Sequence, residues 1–569
     1  MKLSSFRLAF ALLAQLIAPV VSQNSTFTNP VLSGWHSDPS CIQVDGTFYC
    51  VISTFISFPG LPIYASKDLI NWKLISHVWT RESQLPGYSW NTNGQQEGMF
   101  AATIRANKGT FYVICEYLGT GKKAGVLFRT TTPYNESSWS SAVTFDAPKI
   151  DPDLFWDDDG KVYVATHSVV IQEMNINTGQ MSTAINIWNG TGGVWPEGPH
   201  VYKKDGWYYL LIAEGGTGTN HAVTMARAKK VTGPYTGYAK NPLLTNKGTQ
   251  EYFQTIGHAD LFQDTNGKWW GMCLATRSGP QYKSYPMGRE TALFPVTWNK
   301  DEWPIMAPVR GEMTGWQLPP QTRDLPGDGP FNSDPDVYDF KTGAAIPRNL
   351  VYWRIPRDGI FTATDAGLQV VLGRNNLAGS PSGSTNGATR AISFIGRRQT
   401  HSLFTFSVDL TFSPKENNQE AGVTAFLTQE ANIQLALVQL SNQLSFRFTA
   451  NGQSKTSAVP AAWVGKAIRL QIQMGSINTY TLAAMLATDV KTKIVLGTAS
   501  AELLSGGSGS FVGTLLGVYA TCNGAGSGLD CPSGTPNAYF QRWRYTGAAQ
   551  YVTAGTTVPR QVDMAASEV

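Results

Sequence analysis

The apolar residues in the first half of the chain fall in short runs that end at glycine-containing turns. Five of these runs share one pattern, in which Gly stands at the turn and Tyr or Trp follows three residues later. They are Asp45–Tyr49, Lys108–Tyr112, Asp159–Tyr163, Asp205–Tyr209 and Asn266–Trp270. Each unit predicts a β-hairpin, because Gly adopts positive φ at low cost and the aromatic residue continues the return strand.

The spacing of these turns predicts a β-propeller. Neighbouring turn glycines, from Gly46 to Gly267, are 46 to 63 residues apart, which is enough for a blade of four antiparallel strands. No amphipathic helical pattern of convincing length interrupts them. We therefore expect an all-β fold whose first domain, residues 23–312, is a five-bladed propeller.

The pattern changes after a Pro- and Gly-rich segment at 313–332, which is predicted to be a linker. Beyond it, apolar and polar positions alternate in strands such as 403–412 and 433–440, separated by Gly, Asn and Ser turns. This alternation is typical of a β-sandwich, predicted here for residues 333–547. The small and polar residues at 548–569 predict a disordered tail.

The N-terminus predicts a secretory signal peptide at residues 1–22. Lys2 and Arg7 supply its positive start, and the apolar run 8–21 is too short and too interrupted for a membrane span. Three Asn-X-Ser/Thr glycosylation triplets agree with secretion. The net charge of +4 comes without a basic cluster, so neither nucleic acid nor a membrane is expected as a partner. We therefore predict a secreted, extracellular protein.

Six cysteines in a secreted chain invite disulfide pairing. They are Cys41, Cys50, Cys115, Cys273, Cys522 and Cys531. The last two bracket a Gly-rich loop and predict one bridge. The first two face each other across a hairpin turn, where the spacing leaves a second bridge open. The middle two stand in apolar runs and are interpreted as buried thiols rather than ligands.

The hairpin repeat places five residues in equivalent positions. Phe100, Asp151, Glu197 and His258 stand nine residues before their turn glycines, and Asp38 stands eight before its own, where the turn is one residue shorter. In a propeller these positions begin the innermost strands, which meet at one mouth of the central hub. Taken singly, the two Asp residues precede Pro and would be turn residues. Their shared register in a chain with only 15% charged residues favours a functional pocket instead.

Three acids in one pocket are expected to differ in proton affinity, because repulsion and burial push their pKa values apart. Glycoside hydrolysis needs this arrangement, with one acid to protonate the leaving oxygen and one carboxylate to activate water or attack carbon. Glu197 is the candidate donor, since its longer side chain reaches inward beside Trp195 and Pro196. Asp38 is the candidate base, because its short side chain leaves room for a water. Asp151 can raise the pKa of the donor and orient it.

Six motifs carry a resemblance to a known family. They are Trp35–Ser40, Tyr64–Trp72, Asp151–Phe155, Glu197–His200, Gly257–Asp260 and Gly288–Thr291. Together they resemble glycoside hydrolase family 43 over about residues 28–310, and residues 420–426 resemble the concanavalin A-like sandwich that follows its propeller. The resemblance implies an inverting glycosidase in which Asp38 is the general base, Glu197 the general acid, and Asp151 the residue that tunes and orients the acid.

The resemblance also implies binding residues. His258 matches a hub histidine that hydrogen-bonds near the acids or approaches a bound calcium, so calcium or water is allowed there, although no cofactor is expected to be required. Arg277 matches an arginine that contacts the sugar or an acid. Phe100 replaces the Trp of a Gly-Ile-Trp-Ala-Pro motif that relatives often have, and it can still stack under a sugar ring. Trp35 is a further candidate platform.

These features favour one function. We expect an exo-acting hydrolase of terminal pentoses in arabinoxylan or a related hemicellulose. An α-L-arabinofuranosidase is favoured, because the opening at 34–38 followed by a sandwich resembles fungal arabinofuranosidases, and a β-xylosidase is the alternative. A lectin-like propeller is disfavoured because the five hub positions differ chemically, and a retaining fructosidase because its Glu usually sits in another motif. The sandwich is expected to shape the rim of the pocket rather than to bind carbohydrate.

Overall fold

The computed structural model describes residues 25–88, 92, 96–119, 122–147, 149–379 and 392–559. The predicted signal peptide lies outside the described residues. Within them the fold is nearly all β, and its helical elements are single 3₁₀ turns. These turns are Glu82–Gln84, Glu136–Ser138, Ala461–Trp463, Ala501–Leu504 and Gly507–Gly509. No helix in the described part of the chain is long and apolar enough to cross a membrane.

The predicted five-bladed propeller is confirmed. Five sheets of four antiparallel strands follow one another along the chain, each in sequence order. A short first strand, β1 Thr26–Thr28, and a short closing strand, β22 Glu312–Thr314, flank the five blades. The first blade is β2 Ser40–Val44, β3 Thr47–Val51, β4 Gly60–Ser66 and β5 Lys73–Trp79, and the second is β6 Gly98–Asn107, β7 Thr110–Gly119, β8 Lys122–Thr130 and β9 Val143–Phe145. The third blade is β10 Asp153–Trp156, β11 Val162–Thr166, β12 Val170–Glu173 and β13 Ile185–Asn186, the fourth is β14 Glu197–Lys204, β15 Trp207–Glu214, β16 Ala222–Ala228 and β17 Thr236–Gly237, and the fifth is β18 Phe253–Gln263, β19 Trp269–Arg277, β20 Glu290–Thr297 and β21 Ile305–Met306.

The glycine turns join the first two strands of every blade, as the repeat predicts. At Asp205-Gly206 both central residues have positive φ, 52° and 71°, which matches a type I′ turn and the twist of the flanking strands. The first strands of the blades lie side by side and enclose the hub. Turn chemistry therefore sets where each inner strand begins.

The propeller is closed by pairing between its two ends. Strand β1 pairs antiparallel with β22, with Phe27 opposite Met313. The predicted linker at 313–332 is not a free spacer, because it packs along the propeller and buries Leu318, Leu325 and Phe331 there.

Two facing antiparallel sheets form the predicted sandwich. One sheet has nine strands: β23 Asp336–Tyr338, β25 Phe361–Thr364, β26 Gly367–Val370, β28 Leu403–Thr411, β33 Ile468–Ser476, β34 Thr479–Leu486, β35 Asp489–Ser500, β37 Ala538–Tyr551 and β38 Thr557–Pro559. The other has seven: β24 Leu350–Tyr352, β27 Ser393–Arg398, β29 Glu420–Phe426, β30 Asn432–Leu440, β31 Gln443–Ala450, β32 Gln453–Ala458 and β36 Leu515–Thr521.

The predicted boundary of the C-terminal tail is wrong. Strand β37 continues to Tyr551, and β38 returns along it with Thr557 opposite Tyr551. The start of the predicted disordered segment 548–569 is therefore part of the sandwich, since pairing stabilises a stretch whose small residues alone suggested a tail. Residues 560–569 lie outside the described part of the chain.

The cysteines pair as two bridges. Cys41–Cys50 joins directly opposed residues of β2 and β3, which resolves the pairing that the sequence left open. Cys522–Cys531 closes the Gly-rich loop, as predicted. Both remaining cysteines are buried free thiols.

Candidate active site

The five residues that the hairpin repeat places in equivalent positions are here called the slot residues. They lie around one mouth of the hub, as predicted. Asp38 and Asp151 each stand two residues before the first strand of their blade, and Glu197 begins its strand. Phe100 and His258 lie within the first strands of the second and fifth blades. The imidazole Nδ1 of His258 is 3.9 Å from Oδ1 of Asp38, although these residues are far apart in sequence.

The backbone is strained at three of these positions. The φ angle is 52° at Asp38, 58° at Asp151 and 49° at His258. Residues other than Gly rarely adopt this left-handed region, and each instance costs about 1–3 kcal/mol. Such strain persists only where surrounding contacts fix it, and it is concentrated at functional sites.

Asp38 is a buried carboxylate held by a bidentate arginine. Arg289 donates from Nη1 to Oδ1 at 2.8 Å and from Nη2 to Oδ2 at 3.2 Å. Ser53 donates its hydroxyl to Oδ2 at 2.6 Å. Burial alone would raise the pKa of Asp38, but Arg289, then His258 and Ser53, hold it below its usual value. Asp38 is therefore ionised at neutral pH and able to accept a proton from water.

Asp151 and Glu197 are neighbouring acids on the opposite side of the mouth. Asp151 accepts the backbone N–H of Gly198 at 3.0 Å. Burial, then the neighbouring charges of Glu197 and Asp38, raise the pKa of Asp151 well above its usual value. Burial also favours the neutral form of Glu197, but His221 and then His258 together outweigh it and lower the pKa of that carboxyl. Asp151 is therefore the weaker acid of the two in the free protein.

His221 presents a defined ring nitrogen to Glu197. Its Nδ1 is 3.0 Å from the carbonyl oxygen of Thr255, which can only accept, so Nδ1 carries a proton. Nε2 then faces Oε1 of Glu197 at 3.6 Å, and it lowers the pKa of that carboxyl when it also carries a proton. His221 is fully buried, whereas the side chain of Glu197 is 18% exposed. No sequence pattern marks His221, because it stands in the loop between β15 and β16 rather than in a hub position.

His258 is neutral and packed beneath the backbone of the fourth blade. The pKa of its imidazole is lowered to about 4, and burial is the largest cause. Gly198, with φ 56°, leaves the space that the ring fills, since a Cβ there would lie 3.1 Å from three atoms of the imidazole. The predicted proximity of His258 to the acids is thus observed, and its contact with substrate stays a prediction.

A ring of polar side chains, here called the hub ring, fills the channel deeper than the slot residues. Its members, one from each blade, are Ser40, Arg105, Asp153, Tyr202 and Asp260. Arg105 pairs with Asp153 at 2.8 Å and with Asp260 at 2.7 Å. Ser40 and Tyr202 donate their hydroxyls to Asp260 at 2.7 and 2.8 Å. The hub ring ties all five blades together and closes the floor of the pocket.

The described residues do not fit a calcium ion near His258. Among them, no group of three or more His, Cys, Asp or Glu side chains could hold a metal. The carboxylates of Asp153 and Asp260 could supply hard oxygen ligands, but the guanidinium of Arg105 occupies the position between them.

The two predicted aromatic contacts differ in outcome. Phe100 is partly exposed at its slot and packs edge-to-face on Phe55, with ring centroids 4.8 Å apart. The prediction of a Trp35 platform is wrong. Trp35 is 1% exposed, stacks on Phe55 and lies under the guanidinium of Arg398. Its ring belongs to the apolar core that the propeller shares with the sandwich, so it cannot meet a sugar.

The prediction that Arg277 binds substrate is also wrong. Arg277 makes a buried bidentate pair with Glu290, at 2.6 and 2.8 Å. Its Nη1 donates to the sandwich, to Ser402, Gln550 and the carbonyl of Tyr551. Arg277 therefore fastens the two domains together, and the arginine at the acids is Arg289.

A loop of the sandwich that contains Phe511 reaches the pocket. The carbonyl of Phe511 accepts from Nη2 of Arg289 at 3.1 Å, and its ring stacks on Phe55. The backbone N–H of Phe511 donates to the side chain of Gln96 at 2.6 Å. The sandwich thus braces the arginine that holds Asp38, in agreement with the rim-shaping role that the sequence favours.

Comparisons with known proteins agree with this architecture. The family model described as glycosyl hydrolases family 43 matches residues 27–304, and the beta xylosidase C-terminal concanavalin A-like domain matches residues 338–546. A non-reducing end alpha-L-arabinofuranosidase of Bacteroides ovatus is 34% identical over 532 residues, covering 92% of this chain and 96% of the relative. A xylosidase/arabinosidase of Butyrivibrio fibrisolvens is 32% identical, covering 88% of this chain and 97% of the relative.

Solved structures give the same result. The GH43B protein of the Bacteroides ovatus xyloglucan locus superposes with a TM-score of 0.79 at 32% identity, covering 92% of this chain and all of that chain. A xylan beta-1,4-xylosidase of Bacillus halodurans superposes with a TM-score of 0.78 at 28% identity, covering 91% of this chain and all of that chain. The chain therefore belongs to glycoside hydrolase family 43 and is a glycoside hydrolase.

Proposed function

We propose that the protein is a secreted, inverting exo-glycosidase that removes terminal pentoses from arabinoxylan or a related hemicellulose. One observation carries the mechanism: three carboxylates, of which Asp38 and Asp151 are buried and Glu197 is partly exposed, share the hub mouth, and each has a different partner. Asp38 is paired with Arg289, Asp151 accepts a backbone N–H, and Glu197 faces His221. Different partners give the three acids different proton affinities, as acid and base roles require.

Asp38 acts as the general base in this proposal. Because Arg289 keeps it ionised, it can take a proton from a water that attacks the anomeric carbon. The bidentate contact also fixes the direction of the carboxylate. The attack inverts the configuration, since water enters on the face opposite to the leaving oxygen.

Glu197 acts as the general acid. Its side chain is partly exposed in the free protein, so a bound sugar would remove water from it and favour its protonated form. The negative charge of Asp38 acts in the same direction. Asp151 tunes and orients it through the backbone of Gly198, the residue that follows Glu197. The proton passes from Glu197 to the glycosidic oxygen as the bond breaks.

The closed floor of the hub supports attack on chain ends. Because the hub ring fills the channel, a sugar can enter only from the mouth, and a pocket of this kind accepts a terminal residue. Relatives named arabinofuranosidase and β-xylosidase support a pentose. We favour α-L-arabinofuranosidase, because a relative with that name matches over nearly the whole chain.

A paired hydrolysis screen tests the proposal. The purified protein is offered the 4-nitrophenyl glycosides of α-L-arabinofuranose and β-D-xylose, and then arabinoxylan. We expect the arabinofuranoside to have the higher kcat/KM and arabinoxylan to release arabinose. A higher kcat/KM on the xyloside would establish the β-xylosidase alternative, and no hydrolysis of any pentoside would refute the proposal.

The proposed secretion is supported by the signal pattern at residues 1–22 and by two disulfides, which persist in oxidising compartments. Mass spectrometry of the protein in the culture medium should find Gln23 at the N-terminus. Full-length protein retained inside cells would contradict it.

A further inference from the structure

Two large apolar side chains remain exposed directly before the general acid. Val194 is 62% exposed and Trp195 is 64% exposed, and Glu197 follows two residues later. Other tryptophans of the propeller, such as Trp72 and Trp139, are almost completely buried. An exposed indole at this position therefore needs an explanation other than core packing.

The segment that carries Trp195 is fixed from both sides. The carbonyl of Val194 accepts the backbone N–H of Gly215 at 2.8 Å, which extends the β14–β15 hairpin toward the mouth. The carbonyl of Pro196 accepts the N–H of Ser168 at 2.9 Å, which ties the segment to the third blade. Trp195 has φ 54°, an unfavourable conformation for a bulky residue. The contacts thus hold the indole in one place at a cost in backbone energy.

The indole is supported on its inner sides only. The ring of His167 lies against it at a centroid distance of 5.9 Å and an angle of 37°. On a second side it lies next to Gly216, where a Cβ would be 3.5 Å from Cδ1 of Trp195. The next residue, Thr217, accepts from the same Arg289 that holds Asp38. Trp195 is therefore on the rim of the catalytic pocket, beside the acid, with most of its surface free.

We propose that Trp195 is the platform for the leaving-group sugar, the residue of the polysaccharide backbone from which the pentose is cleaved. This inference rests on the proposed function. If Glu197 protonates the glycosidic oxygen, the pentose lies inside the hub and the next sugar lies outside Glu197, on the side of Trp195. The C–H face of a sugar ring is apolar and packs on an aromatic face, which provides affinity without requiring one orientation of hydroxyl groups.

The test compares two substrates that differ only in the leaving group. One is an arabinose-substituted xylo-oligosaccharide, and the other is the methyl arabinofuranoside, whose leaving group has no ring to stack. Trp195→Ala should lower kcat/KM on the oligosaccharide by about tenfold, mainly through KM, where tenfold corresponds to about 1.4 kcal/mol. Its kcat/KM on the methyl glycoside and its inhibition by free arabinose should match the wild type. Trp195→Phe, which retains an aromatic face, should lose less.

Trp316 supplies the matched control. It is 37% exposed and follows the closing strand β22, away from the hub acids, so Trp316→Ala should leave both substrates unaffected. An equal loss on both substrates in Trp195→Ala would overturn the inference, because the indole would then act through Glu197 or through the fold. Unchanged hydrolysis of the oligosaccharide would overturn it too. Both results require an active wild type, whereas a wild type that cleaves no pentoside would refute the proposed function itself.

Discussion

Replacing Arg289 tests how the proposed base is kept ionised. In Arg289→Gln, Asp38 loses two charge-assisted hydrogen bonds, at 2.8 and 3.2 Å, and retains the one from Ser53. Arg289 is the strongest of the groups that hold the pKa of Asp38 down, and burial opposes them. Without it the pKa of Asp38 rises, so the carboxylate is lost at a higher pH. The acidic limb of the pH profile of kcat/KM should move to higher pH.

The size of the effect follows from the burial of Asp38, which is 4% exposed. Removing one partner of a buried ion pair costs about 3–5 kcal/mol, and a buried carboxylate avoids most of that cost by taking up a proton. A protonated Asp38 cannot act as base, and general base catalysis contributes about 10²–10⁴ to the rate. We therefore expect kcat/KM at the wild-type optimum to fall by about 10²-fold or more, measured on an aryl pentoside from pH 4 to 9.

Arg277 provides a matched control, because it forms an equally buried bidentate pair with Glu290 and donates its other hydrogen bonds to groups other than the three acids. Arg277→Gln should lower the melting temperature but leave the acidic limb in place. Arg289→Lys, which keeps the charge but not the paired hydrogen bonds, should lie between wild type and Arg289→Gln. A limb that stays in place in Arg289→Gln, or that moves equally in Arg277→Gln, would refute the reasoning.

Three further predictions concern the acid side and the rim. Glu197→Gln should slow substrates with poor leaving groups by about 10²–10⁴ and activated aryl glycosides far less; equal losses on both, in a leaving-group series, would contradict its role as acid. His221 lowers the pKa of Glu197, so His221→Gln should raise that pKa and move the alkaline limb of kcat/KM to higher pH; a limb displaced to lower pH would count against it. Phe511→Ala should reduce kcat/KM by about tenfold, since the ring packs on Phe55 beside Arg289 and tenfold corresponds to about 1.4 kcal/mol; unchanged kinetics would show that the sandwich loop is dispensable.

The spacing of the turn glycines was sufficient to predict which acids meet at the hub. The turn glycines fix where each inner strand begins, and five strands in the same register bring Asp38, Asp151 and Glu197 to one mouth. This information is local, because each hairpin carries its own turn residue and its own slot. A second local pattern, the alternation of apolar and polar positions, predicted the sandwich.

The partners of these acids could not be found in this way. Arg289 is 251 residues from Asp38 in sequence. It directly precedes β20, the third strand of its blade, whereas the glycine-turn repeat marks only the first two strands of a blade. Trp35 was misassigned because the sandwich, and not the propeller alone, buries its ring. The misassignment of Arg277 has the same origin, since hydrogen bonds from its guanidinium cross to strand β37 of the sandwich. Contacts between domains leave no periodic signal in either domain.

The stereochemistry of the first product tests the central claim most directly. Proton NMR of the wild-type reaction on an aryl pentoside, recorded before mutarotation, identifies the anomer that is formed first. If Asp38 activates water while Glu197 protonates the leaving oxygen, the first anomer has the configuration opposite to that of the substrate. A first product of retained configuration would mean that a carboxylate attacks the sugar itself, and it would contradict the roles assigned to Asp38 and Glu197.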